Sequence, residues 1–247
     1  MDIRRPEPVE FAGIVVGVGI AVGGLLAGHG FAAGRATERY VSVKGISERE
    51  ARADVAFWPL RIVVADNDLA AAHARLRNQV ALVRAFLARH QLDTAQIELQ
   101  SFSVSDAATN QYREGGSIAN RYVIRQVVMV RSSQPERVLA ASQQVGELVA
   151  AGIVLSSGEE YGTGGPTFVF SGLNDLKPGM IAEATGRARE SAEQFARDSH
   201  SRLGRIRRAS QGVFEILPRD QAPGVDEGSQ IVKVVRVVST VDFTLRD

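Results

Sequence analysis

The segment from Pro178 to Leu203 carries one face made largely of small side chains. Ile181, Ala184, Ala188, Ala192, Phe195, Ser199 and Leu203 recur at spacings of three, four, four, three, four and four. That period belongs to one continuous α-helix, about 26 residues and roughly 39 Å long. Alanines let a helix axis approach closely whatever it covers, so this face predicts tight contact with a sheet or with a second copy of the chain. Pro178 marks the expected helix start, with Asn174 and Asp175 able to cap the turn before it. The opposite face holds the pairs Glu183/Arg187, Arg189/Glu193, Glu193/Arg197 and Asp198/Arg202, each worth about 0.2–0.5 kcal/mol. Asp198, Ser199 and His200 are sequence neighbours and project about 100° apart on a helix, so they form no catalytic relay. The segment reads as a structural helix with a solvated face.

Elsewhere the hydrophobic period switches repeatedly between two and three-to-four. "YVSVKGI" and "ADVAFWPLRIVV" are strands, with Pro59 pointing to an edge or a bulge in the second. Leu69, Ala72, Leu76, Val80, Val83 and Leu87 then mark an amphipathic helix. "AQIELQSFSVSD" returns to strand, a polar loop with Gly115 and Gly116 follows, and "NRYVIRQVVMVR" places Tyr122, Ile124, Val128 and Val130 on one face. A second helix begins near Pro135 and carries Val138, Val145, Leu148 and Val149 on one side. "GIVLSSGEEY" and "PTFVFSGL" read as strands around the turn "GTGG", and no lysine-serine or lysine-threonine pair follows that turn to make a phosphate cradle. "LGRIRRASQGVFEI" and "SQIVKVVRVVSTVDFTL" close the chain, with Val235, Val237, Val241, Phe243 and Leu245 on one face. The expected fold is α+β: mostly antiparallel strands packed with three amphipathic helices around one main core, plus one N-terminal transmembrane helix.

That last element rests on "FAGIVVGVGIAVGGLLAG", residues 11–28, which holds no charge. With residues 29–33 added, the run reaches the roughly 20 apolar residues needed to span a bilayer. "GHGFAAGRA" also offers a small-x-small cleavage site near Ala33, so the segment is a retained anchor or a signal segment. The organisation is thus a tail over residues 1–10, an anchor over 11–33 and one domain over 34–247. Gly17, Gly19 and Gly23 mimic a dinucleotide loop, but a membrane run supplies no βαβ unit around them. The same glycines fall at small-xxx-small spacing, which lets membrane helices approach one another. Arg4 and Arg5 precede the run while Arg35, Arg39 and Lys44 follow it, so charge counting does not orient it. A short tail before one large domain points to an N-terminus inside and a domain outside the cytoplasmic membrane.

The search for chemistry returns little. The chain has no cysteine, which excludes disulfides, thiolate metal sites and cysteine nucleophiles, and its net charge of +1 implies no general attraction to nucleic acid. His29, His73, His90 and His200 lack the spacing of a metal site. Glu159 and Glu160 are adjacent and face opposite sides of a strand. Two polar residues stand out: Asp54, in an otherwise apolar strand, and Lys177, beside Pro178 where a helix start exposes backbone N–H groups to an anion. A strand-end or turn hydrogen bond is the simpler role for Asp54. No catalytic, cofactor-binding or metal residue is assigned.

Several segments resemble the SIMPL-domain family of bacterial envelope proteins, through residues 39–246. "RYVSVKGISEREARADVAF" resembles the family's opening V-x-V-x-G followed by a Pro-Asp strand; Gly45 and Asp54 match, while Ala53 stands where proline is usual. "HQLDTAQIELQSFSV", "AAGIVL", "AEATGRARESAEQFARDSHSRLGRI" and "KVVRVVSTVDFTL" resemble its later elements, and "TNQYREGGSIANRY" and "LNDLKPGMIAEAT" look like a membrane-anchored subgroup. The resemblance implies an α+β fold, export to the periplasm, homo-oligomers that are sometimes ring- or channel-like, and links to oxidative and envelope stress. It brings no established catalytic residues. The resulting expectation is a single-pass inner-membrane protein whose periplasmic domain self-associates through the small-residue helix face and the strand edges, as a non-enzymatic scaffold or interaction module. An oligomeric channel or ligand-binding chamber is the alternative. No cofactor and no nucleic-acid partner is expected, and the small-molecule ligand, if any, is not specified by the sequence.

Overall fold

A computed structural model describes residues 16–28, 39–109, 120–156 and 164–247. Residues 16–28 form a helical stretch, α1. Its apolar side chains, Ile20, Leu25 and Leu26 among them, are exposed. The remaining residues of the expected anchor, 11–15 and 29–33, lie outside the described residues. Among the described residues no helix is long and apolar enough to cross a membrane.

Two four-stranded antiparallel sheets make up the domain. In the first, β8 (Val232–Arg246) is central: β1 (Tyr40–Arg52) pairs along one side, and β6 (Arg202–Gln211) and β7 (Glu215–Pro218) share the other. The second has the order β3 (Ile97–Asp106), β4 (Tyr122–Ser132), β2 (Val55–Asp66), β5 (Thr167–Val169). Between β1 and β2 lie only Ala53 and Asp54, so one chain segment passes directly from sheet to sheet.

Strict alternation builds both cores. Along β8, Lys233, Val235, Val237, Ser239, Val241 and Phe243 are buried while the residues between them are half-buried. The buried face meets α5 (Leu173–Asp198). In the second sheet Ala56, Trp58, Leu60, Ile62 and Val64 of β2 join Ile124, Val128 and Val130 of β4 in one core. Over them lies α2 (Leu69–Arg89), opened by Asp68, whose carboxylate accepts from the Ala71 N–H at 2.9 Å. The helix buries Ala72, Leu76, Val83, Phe86 and Leu87, and leaves Leu69 exposed. Helices α3 (Pro135–Gln143) and α4 (Gly146–Ala150) cover the same core through Val138, Ala141 and Leu148.

Four expectations change. The long helix begins at Leu173, and Pro178 lies inside it. Leu173 and Leu176 pack with Phe170, Phe214 and Ile216 against the first sheet, and that burial extends the helix a turn and more ahead of the proline. Its buried residues are Met180, Ala184, Ala188, Ala192 and Ala196, spaced by four throughout, while Phe195 is 58% exposed and Leu203 belongs to β6. The second predicted helix divides between Gln143 and Gly146, and Val149 is exposed. Among the described residues, the strand expected over "GIVLSSGEEY" shows one bridge, Leu155 with Ile62. Residues 157–163, with Glu159 and Glu160, and the loop holding Gly115 and Gly116 lie outside the described residues, as does His29. Pro59 lies on β2 beyond the short β5 pairing at Val55–Phe57 and before the Leu155 bridge, a stretch where no described residue pairs with that side of β2.

Candidate interaction surface

Asp54 occupies the crossing between the sheets. Its own N–H donates to the Val169 carbonyl at 3.0 Å, and the Ala53 N–H donates to the Ile231 carbonyl at 2.8 Å. The carboxylate accepts from the Ser171 backbone N–H at 2.9 Å and from the Ser171 hydroxyl at 2.7 Å. Burial pushes this carboxyl upward. The Ser171 hydroxyl and the backbone N–H groups of Ser171, Asp54 and Gly172 outweigh it and hold the group below the ordinary carboxylate value. Asp54 therefore fixes the chain immediately before Gly172, the residue that opens α5. Lys177 lies one turn into that helix, where its ammonium donates to Asn174 Oδ1 at 2.8 Å and stands 5.9 Å from the centre of the Phe214 ring. The structure thus gives each of the two sequence candidates its own local partners. Among the described residues no three His, Asp or Glu side chains gather as a metal site.

The alanine face of α5 is sealed within the chain. A Cβ added to Gly45 of β1 would lie 1.8 Å from the Ala184 carbonyl oxygen and 2.5 Å from the Ala188 nitrogen. Only glycine permits that approach of helix to strand. Beside it the Ser47 hydroxyl, fully buried, donates to Glu183 Oε2 at 2.9 Å, and Arg187 holds the other carboxylate oxygen at 2.7 Å. The Ser47 bond, with Arg187 and Arg49 behind it, lowers the Glu183 carboxyl despite some desolvation. Of the two expected surfaces, the helix face is therefore occupied by the chain's own first sheet.

Among the described residues the strand edge is open. β3 is exposed along nearly its whole length, and Leu99, Phe102 and Val104 are 50%, 55% and 44% exposed. Leu99 pairs in register with buried Val128 and Val104 with buried Ile124, so both lie on the face that α2 covers farther in. Between them the register slips from Gln100 to Ser103, and Ser101 takes a left-handed φ of 52°. The Gln126 amide donates to the Gln100 carbonyl at 2.6 Å and pins this bulge. Phe102 with Leu99, Leu76, Val80, His73 and Arg77 lines a groove of about 230 Å³ between β3 and α2. Residues 100–105, "QSFSVS", carry neither charge nor proline. Natural edge strands are usually blunted by both. The sequence held a signal for this bulge: apolar residues run at odd positions through Ile97 and Leu99, then at even ones through Phe102 and Val104. A phase slip inside a strand is what one extra residue produces.

A third polar group, outside the two sequence candidates, lies on the buried face of β8. Lys233 is fully buried in β8, donates to the Glu227 carbonyl at 2.5 Å and pairs with the Glu227 carboxylate. It ties the turn Glu227–Ser229 to the central strand. Its phase with Val235 and Val237 already placed it on the buried face.

The profile of SIMPL, described as a protein of unknown function (DUF541), matches residues 41–243. That span covers both sheets, α2 and α5, and the chain belongs to the SIMPL family. No curated protein matches the chain significantly.

Proposed function

We propose that this chain is a self-associating, membrane-anchored scaffold or interaction module of the bacterial envelope, not an enzyme, with its domain in the periplasm. The observation that carries the reading is the β3 edge: eight of its ten residues exposed, three large apolar side chains among them, and an uncharged stretch at the bulge. A strand from another copy satisfies the unpaired backbone groups of such an edge, and its side chains bury Leu99, Phe102 and Val104. Pairing of β3 with β3 about a two-fold axis uses one patch twice and needs no second surface. The anchor is supported by the uncharged run over residues 11–28 and by the exposed apolar side chains of α1. An anchor on each subunit adds avidity to membrane binding. The link to envelope or oxidative stress rests on the family resemblance.

Light scattering on a sizing column, with the full-length chain in detergent, tests self-association. The wild type is expected as a discrete oligomer, and Phe102→Lys, which places a charge in the edge, as a monomer of unchanged circular dichroism. A wild-type monomer, or an oligomer that survives Phe102→Lys together with Leu99→Lys, contradicts the reading.

A further inference from the structure

An edge of the first sheet carries the opposite chemistry. β6 holds Arg202, Arg205, Arg207 and Arg208 in ten residues and no acidic residue. Arg39, just before β1, and Arg246, at the end of β8, join them at one end of the first sheet. Arg202 is the direct cross-strand partner of Arg246, an arrangement that repels. Two register shifts, between Leu203 and Ile206 and between Ile206 and Arg208, interrupt the ladder there. Gly204 makes the first possible, because a Cβ would lie 2.2 Å from Thr244 Oγ1 and 2.8 Å from the Thr244 carbonyl oxygen. The Thr244 hydroxyl donates to the Arg205 carbonyl at 3.3 Å. Around this bulge Arg39, Arg205, Arg246, Thr244 and Leu245 line a cleft of about 180 Å³.

Among the described residues little neutralises these charges. Among the described residues six arginines face two acids, Asp247, paired with Arg39 at 2.5 Å, and Asp242, the register partner of Arg208. Arg207 covers the Tyr40 ring at 4.8 Å. Among the described residues the guanidinium groups of Arg202, Arg205 and Arg246 have neither a hydrogen-bond nor an ion-pair partner. Like charges held face to face on a strand pair leave a basic surface that an external anion would neutralise.

We infer that the arginine end of the first sheet, centred on Arg202, Arg205 and Arg246, docks onto the phosphate headgroups of an anionic lipid surface. The location favours a headgroup over a free anion. Arg39 follows the apolar segment after only residues 29–38, and ten residues span at most about 36 Å. Every anchored copy therefore holds this patch within reach of the bilayer surface, where guanidinium groups engage phosphate oxygens in pairs. The inference uses the anchor proposed above, and the test separates the two.

The full-length chain is delivered from detergent to phosphatidylcholine vesicles with and without phosphatidylglycerol, and the bound fraction is measured by flotation. Each basic residue near an anionic surface contributes about fivefold, so Arg202→Gln, Arg205→Gln and Arg246→Gln together should lower the preference for anionic over neutral vesicles, offered in competition, roughly a hundredfold. Partitioning to the neutral vesicles should stay unchanged. Because the substitutions relieve a repulsive pair, the thermal midpoint should hold or rise, and Arg205→Glu alone provides a second variant. A wild type indifferent to phosphatidylglycerol, or a triple variant that keeps the preference, overturns the proposal. Loss of the preference in millimolar inorganic phosphate at constant ionic strength assigns the cleft to a free anion and overturns it too. If neutral vesicles bind nothing while the arginine-dependent preference for anionic ones persists, the docking surface stands and the anchor falls.

Discussion

The α5 face and the β3 edge are both places where a chain prepares for close contact, and they resolve in opposite ways. On α5 the contact surface is alanine, laid on Gly45 so closely that a single methyl group has no room. On β3 it is leucine, phenylalanine and valine, and nothing in the described chain covers them. Small residues in phase therefore marked a contact satisfied inside the domain, while large apolar residues on an uncharged edge mark one left for a partner. The difference is energetic as well as geometric. Alanines bury little area but allow backbone to meet backbone, whereas exposed Phe102 alone offers an aromatic surface whose burial is worth on the order of 1.5–3 kcal/mol.

The sharpest way to break this comparison is on the sealed side. Gly45→Ala forces the new Cβ against the Ala184 carbonyl, so α5 must move off β1. A loss of about 3 kcal/mol or more is expected by urea unfolding, at the upper end of what overpacking costs. An unchanged midpoint would show that α5 is not seated on β1 as described.

The crossing between the sheets should respond less. Asp54→Ala removes both bonds from Ser171 beside the start of α5; Ser171 is exposed and water reaches its donors, so the cost is about 0.5–1.5 kcal/mol. Because the folded carboxyl titrates below its unfolded value of 3.8, its contribution is complete above that pH and is lost as the pH falls through the folded value. Asp54→Asn should therefore flatten the acid limb of the stability profile below about pH 4. An acid limb identical to wild type would remove Asp54 from this role.

The smallest effect is expected on the open side. Ser101 holds a left-handed φ of 52° that costs a residue with a Cβ on the order of 1 kcal/mol. Ser101→Gly relieves that strain against a small entropic cost, so the thermal midpoint should stay level or rise slightly. A fall of several degrees would mean that the serine side chain, and not the bulge, is what matters there.

Much of this architecture was legible in the sequence because the inner strands β2, β4 and β8 keep a period of two. The valines of β8 and the alternating residues of β2 and β4 announced their buried faces directly. Boundaries set by distant contacts were not legible. Nothing local announces that Leu173 and Leu176 begin a helix ahead of Pro178, since Phe214 and Ile216 hold them there. Ser47 and Glu183 stand 136 positions apart, and only the seating of α5 on β1 brings them to 2.9 Å. Asp54 was visible as an anomaly, but its partner Ser171 lies 117 positions away. The β3 edge was half legible: the phase slip at Ser101 and Phe102 was present in the sequence, while the emptiness beyond β3 depends on the strand order.

Amide hydrogen exchange across residues 99–105, followed in the full-length protein over a range of concentrations, tests the central claim that β3 is a pairing edge. A paired edge predicts slow exchange at high concentration that becomes fast on dilution, as mass action releases the partner strand. Fast exchange at every concentration, on a protein whose β4 amides stay protected, would contradict it.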